Sequence, residues 1–194
     1  MLVVGAGWAG VQAASEFPDM SDFTVNRLAI DYPEALFKLQ SSNDVMAVPL
    51  GVFKNGRRST AQKSLERTER DFNVIREVLT KELRANDAVV IFAGLGGAVG
   101  SVCALGVAQM GHFLERTVVA NIFMPFPSEK PAIHDMAGET LKALAPLCVF
   151  TSTTSHAALN TVLEGEREFA RLLNGVLALH VWHSMDVLRM VKWI

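Results

Sequence analysis

Short runs of β-branched and apolar residues recur along the chain at 2–4, 25–30, 45–50, 88–93, 118–124 and 147–151, and most are followed by helically spaced stretches. This alternation predicts an α/β fold: a Rossmann-like, doubly wound, mostly parallel sheet with helices on both faces. The clearest helix spans 61–84, where Leu65, Phe72, Ile75, Leu79 and Leu83 make one apolar stripe and Lys63, Arg67, Glu69, Arg70 and Glu77 fall largely outside it. Ser59 or Thr60 is placed to cap it. Pro125, Pro127 and Pro131 punctuate the loop after the fifth strand. With no internal repeat, low-complexity tract or long linker, 1–194 reads as a single domain.

Two of the strands run straight into glycine-rich turns that open helices. VVGAGWAG at 3–10 follows the first strand, and AGLGGAVGS at 93–101 follows the fourth. A lone G-x-G-x-x-G says only that backbone comes close to something, typically a phosphate, at a helix start. It is also the fingerprint of FAD- or NAD-binding oxidoreductases, and Asp31, about 20 residues on, suits a ribose hydroxyl there. The second glycine turn separates the readings, because a plain dinucleotide fold has no standing need of it. In the strand order 3-2-1-4-5-6 the first and fourth strands are neighbours, so both turns open onto one crevice. Two helix N-termini, each carrying about half a positive charge, suit a polyphosphate better than a single pyrophosphate.

Composition narrows the ligand and the compartment. The formal net charge of -2 leaves no broad basic face, which argues against nucleic acid as partner. Lys54, Arg57 and Arg58 are soon answered by acids, as on a solvated helix face; a phosphate-facing loop over 54–60 is the sharper alternative. Hydrophobic residues make up 50% of the chain, unusually many for a protein that stays soluble alone, so a partner surface is expected. Cys103 and Cys148 sit in apolar stretches and read as small buried side chains suited to a reducing cytoplasm. No basic leader precedes an apolar core, and no apolar run approaches the roughly 20 residues of a membrane span.

Taken in order, these segments resemble the tubulin/FtsZ superfamily of GTP-binding proteins. Gly5, Ala6, Gly7, Gly10, Val11 and Gln12 match its first phosphate loop, with Val11 and Gln12 where the family has Gly-Asn. AIDYPEAL at 29–36 resembles its segment NTDAQAL and keeps the acid as Asp31. Gly94, Leu95, Gly96, Gly97, Ala98, Val99, Gly100 and Ser101 resemble its GGGTGTG loop, with Gly96, Gly97 and Gly100 kept and one hydroxyl retained at Ser101. MPFPSE at 124–129 is similar to its KPF-x-x-E loop, which brings in Pro125 and the ribose-holding acid as Glu129, without the arginine that follows. Ser152 falls where the family has a base- or ribose-contacting Asn; a helix-capping cluster is the plain alternative. NGVLALHV at 174–181 resembles the start of the long central helix and places Asn174 at the guanine edge, with Phe169 one residue out of register from the stacking aromatic.

The resemblance implies GTP or GDP as ligand, with Mg²⁺ accompanying the triphosphate and Ser101 assisting it. In the family, hydrolysis needs an acidic loop inserted by the next subunit, and that loop follows the central helix. The present sequence stops within that helix, at about 174–193, so no catalytic residue is assigned, the second domain is missing, and little or no intrinsic GTPase activity is expected. Val176, Leu179, Trp182, Met185, Leu188, Val191 and Trp193 cover most of the helix circumference, which predicts a homodimer or another protein partner there. A cytoskeletal, assembly or regulatory role follows, cell division among its settings. A FAD- or NAD-binding oxidoreductase fragment and a scaffold of the same fold without nucleotide remain as alternatives. Asp186 sits in the helix body, His180 and His183 lack a Glu or Cys to complete a metal set, and no hydrolase triad is spaced along the chain. Trp8 either covers the phosphates or packs on the neighbouring loop.

Overall fold

The computed structural model describes residues 1–21, 24–37, 44–51, 61–155, 186, 187 and 190, with the side chains of 61–63 and 155 outside that description. Strands β1 (Leu2–Ala6), β2 (Asn26–Asp31), β3 (Val45–Pro49), β4 (Ala88–Gly94), β5 (Thr117–Met124) and β6 (Phe150–Ser155) form one sheet in the order β3-β2-β1-β4-β5-β6. Every pairing is parallel. The helices between them are α1 (Gly7–Ser15), α2 (Pro33–Leu36), α3 (Ala61–Arg84), α4 (Ala98–Phe113) and α5 (Pro131–Leu144).

The central strands are apolar at every position because both of their faces are covered. Leu2, Val4 and Ala6 of β1, with Val89, Ile91 and Ala93 of β4, point to one face, where Phe72, Ile75, Leu79 and Leu83 of α3 and Cys103, Ala104 and Val107 of α4 meet them. Their alternates Val3, Val90 and Phe92 point to the other face, against Ala13 and Ala14 of α1 and Phe17 beyond it. Phe17 stands edge-on to Phe92 with ring centroids 6.0 Å apart. Asp186, Val187 and Met190 are helical, and Val187 packs on this second face. The other apolar residues of the terminal segment singled out above, with His180 and His183, lie outside the described residues, as do Ser59, Thr60 and the basic stretch 54–58.

The strand order and the limits of α3 are those the sequence predicts, and β6 is the exception. Expected at 147–151, it runs over Phe150–Ser155, and Ala145–Leu147 forms a 3-10 turn in its place. Pro146 favours the turn, and the Cys148 N–H closes it on the Ala145 carbonyl at 3.2 Å. At the sheet edge a strand needs only one neighbour, so the polar run TSTTS pairs with β5 although its hydropathy does not announce a strand. Cys103 is buried and Cys148 half-buried, both as free thiols. Burial pushes the Cys148 thiol up to about 11, and that of Cys103 higher still, which makes both poor nucleophiles. Among the described residues no helix is long and apolar enough to cross a membrane.

α1 lies so close to β4 that a Cβ added to Gly10 would overlap the Phe92 carbonyl, whereas one added to Gly138 in α5 meets nothing within 4 Å. Gly10→Ala should therefore lower unfolding free energy by about 1–3 kcal/mol, as overpacking does. Gly138→Ala should raise it by about 0.5–1 kcal/mol through helix propensity. Urea titration of both variants checks the pair.

Candidate functional site

β1 and β4 lie side by side at the centre of the sheet with Ala6 opposite Ala93, so their carboxyl ends lie together. β1 feeds α1 on one face and β4 feeds α4 on the other. The two turns meet: a Cβ on Gly7, whose φ is +68°, would stand 3.1 Å from the Gly100 nitrogen. Only glycine accepts both that φ and that approach. Gly96, at φ +92°, is wedged against Ile133, with the Pro125 ring carbon 3.0 Å from where its Cβ would be. Three strand exits, those of β1, β4 and β5, thus converge.

What they leave open is an uncapped pair of helix ends. Among the described residues neither α1, entered from Ala6, nor α4, entered from Gly97, has a side-chain cap, and neither has an acid in its first turn. Free N–H groups of a first turn, with the helix dipole behind them, attract an anion. Gly97 is exposed and has nothing within 4 Å of its Cβ position, so space lies directly in front of α4. The loop is held from inside: the Ser101 hydroxyl accepts the Gly96 N–H at 3.1 Å, and the Leu95 N–H donates to the Phe123 carbonyl at 3.0 Å.

The remaining sequence-predicted residues divide by location. Gly5 and Ala6 belong to β1, Gly94 ends β4, and Ala98 and Gly100 lie in the first turn of α4. Val11 points into a small cluster with Ala29 and Leu36, and Val99 leans on the core of the first face, so their side chains serve packing. Gln12 lies further along α1, its carbonyl accepting the Ser15 hydroxyl at 2.7 Å. Trp8 is 57% exposed beside the first turn. Glu129 is exposed in the turn after β5, where its N–H donates to the Phe126 carbonyl at 2.9 Å. Ser152 sits within the edge strand β6, short of its carboxyl end, its hydroxyl donating to Asn121 Oδ1 at 2.7 Å. Phe169 and Asn174 lie outside the described residues.

Asp31 ends β2 at the carboxyl-terminal edge of the sheet, 7% exposed, and its Oδ1 accepts the Tyr32 N–H at 2.7 Å. Burial raises its carboxyl above the usual range; the Tyr32 N–H pulls it back and Glu34 pushes it up again. The adjoining Tyr32 was not singled out from sequence. Its phenol, held protonated by burial, donates to Asp71 Oδ2 at 3.2 Å, and the Arg67 guanidinium lies 5.0 Å from its ring centroid. This ties the exit of β2 to α3. Periodicity on α3 marks Arg67 and Asp71 only as polar-face residues, so nothing in the sequence pairs them with Tyr32. Ile133 and Asn121 were missed for the same reason, being ordinary members of an apolar helix face and an apolar strand. Among the described residues no three His, Cys, Asp or Glu gather to hold a metal ion.

No protein-family model matches the sequence, and no curated protein sequence matches it. The backbone, however, superposes on CetZ1 from Haloferax volcanii, a GDP-bound monomer, with TM-score 0.72 at 16% identity over 91% of this chain and 58% of that one. For CetZ from Methanosaeta thermophila the TM-score is 0.69 at 17% identity, over 98% of this chain and 53% of that one. For an FtsZ dimer from M. jannaschii it is 0.70 at 20% identity, over 91% and 51%. The chain has a tubulin/FtsZ-like fold. Its six parallel strands are those of the GTPase domain of that fold, and the other domain lies outside the matched portion. The chain spans about half the length of these structures.

Because the tubulin/FtsZ-like sheet buries Asp31 at its edge, the folded chain binds the Asp31 proton more tightly than the unfolded chain does. Stability from this group is greatest below the ordinary carboxylate pKa and declines as pH rises through the raised one. Asp31→Asn should therefore be more stable than wild type at pH 7, with the advantage fading by about pH 4 as wild-type Asp31 protonates. Thermal melts at the two pH values check this.

Proposed function

We propose that the chain binds a guanine nucleotide, GTP or GDP, with its phosphates against the uncapped ends of α1 and α4. The contact of the Gly7 turn with Gly100 carries this reading, because it aims two helix N-termini into one crevice. The likeness supplies the base. CetZ1 of Haloferax volcanii is described as GDP-bound, and TubZ of Bacillus thuringiensis forms protofilaments in GTPγS and GDP forms. In this reading main-chain amides of the two glycine turns hold phosphate, Asp31, Pro125 and Glu129 line the rim, and Phe169 and Asn174 meet the base. Mg²⁺ comes with the triphosphate, carried mainly by phosphate oxygens and water. The role proposed is assembly with further copies or a partner protein in the cytoplasm. Amides and helix dipoles orient phosphates but do not activate water, so turnover calls for a group beyond those named.

Fluorescent GDP and GTP, titrated with Mg²⁺, test the reading. Saturable binding at micromolar concentration is expected; none for either nucleotide, with binding of NAD or FAD instead, would establish the dinucleotide alternative. Gly97→Asp sharpens the test. Its Cβ enters open space at φ −91°, and its carboxylate can cap α4, so the melting temperature should hold or rise slightly. GDP affinity should fall on the order of a hundredfold, since like charges a few ångströms apart repel by about 3 kcal/mol at an effective dielectric near 20. Unchanged affinity would remove the second glycine turn from the site.

A further inference from the structure

A hydroxyl in the first turn of a helix beside a phosphate loop has two uses. It can ligate phosphate or its metal, or it can hold the loop. Ser101 is 3% exposed, and its oxygen already accepts the Gly96 N–H. Its own N–H closes the first turn of α4 on the Gly97 carbonyl at 3.0 Å. One residue thus clasps both glycines that precede the helix.

We infer that Ser101 is a positioning residue which clamps Gly96 from inside the loop, so that the anion-facing amides begin at Gly97, and that it ligates neither phosphate nor Mg²⁺. This rests on the nucleotide reading above. Three observations carry it. First, the amides of Leu95 and Gly96 are both spent inward, on the Phe123 carbonyl and on Ser101, which leaves Gly97 as the first position facing open space. Second, Gly96 takes φ +92°, a conformation open to glycine, with Ile133 and Pro125 filling the space beside its Cα, so its amide is held facing Ser101 by close packing. Third, Ser101 borders the furrow of about 480 Å³ between α3, α4 and α5, with Phe72, Arg76, Leu105 and Glu139, on the side of α4 away from the Gly7 turn, which Gly100 and Val99 meet. Mg²⁺ needs an oxygen open to a near-octahedral shell of waters and phosphate oxygens, which an enclosed hydroxyl engaged by a backbone amide does not offer.

The test uses the 194-residue chain with three substitutions. In the nucleotide-free protein, amide exchange at Gly96 should be slow in wild type and about tenfold faster in Ser101→Ala, the expected consequence of losing one hydrogen bond. Ser101→Thr keeps the hydroxyl, has the furrow for its extra methyl, and should restore protection. GDP should bind Ser101→Ala about five- to tenfold more weakly, equally with Mg²⁺ and with EDTA, and Ser101→Thr near the wild-type value. Should Ser101→Ala fail to fold, Ser101→Cys keeps the side chain's shape at a slightly larger size, with the furrow to take it and a much weaker acceptor, and takes its place. Unchanged Gly96 exchange in the Ala or Cys variant overturns the clamp, and so does an affinity loss confined to Mg²⁺, which would make Ser101 a metal ligand. Wild-type protein that binds no guanine nucleotide sinks the nucleotide reading and this role with it, a result separate from the exchange measurement.

Discussion

The parallel pairing of β1 with β4, in the register that sets Ala6 against Ala93, brings two strand exits to the same point of the sheet's carboxyl-terminal edge while sending their helices to opposite faces. The turns are then pressed together closely enough that the space beside Gly7 is filled by the Gly100 backbone. Two sets of helix-terminal N–H groups, neither capped by a side chain among the described residues, start from neighbouring turns. Such groups are costly to bury alone and are stabilised by water or by negative charge. The fold thereby builds an electrostatic demand into its own edge.

Close packing behind the edge makes that arrangement rigid. α4 is rich in small residues, and at Gly106 the Phe72 ring of α3 occupies the space a side chain would need. Side chains of one size larger would lift α4 away from the sheet and its N-terminus away from α1. The outer rim is fastened differently, through polar contacts: Tyr32 reaches Asp71, and Arg67 covers its ring. Apolar packing sets how closely α4 sits behind the two turns, and this small polar cluster ties the exit of β2 to α3.

Much of this was legible in the residues. Strand–helix alternation is local, so β1 to β5 and the whole of α3 stand close to where hydropathy puts them. Both glycine turns announced themselves because close backbone approach tolerates no Cβ. β6 did not, since an edge strand paired on one side is free to be polar, and the apolar signal at 147–151 belongs partly to a turn and to packing on α4 and α5. Ser152 is proposed for the site only by its place in order along the chain, and the structure shows one contact that this order does not announce. Its hydroxyl donates to Asn121, a buried carboxamide on the neighbouring strand that no spacing rule pairs with it.

The succession of strands along the chain, the two glycine turns and the helices that follow them were determined by the sequence alone, because periodicity and the absence of a Cβ act over a few residues. Which amides remain free in the second turn was decided only by the tertiary structure. Gly96 and Leu95 are glycine-loop residues on paper, yet one gives its N–H to a hydroxyl a helical turn ahead and the other to the end of β5. Hydrogen bonds between groups distant in sequence, or folded back across a turn, depend on distances that exist only once the sheet has closed and the core has filled.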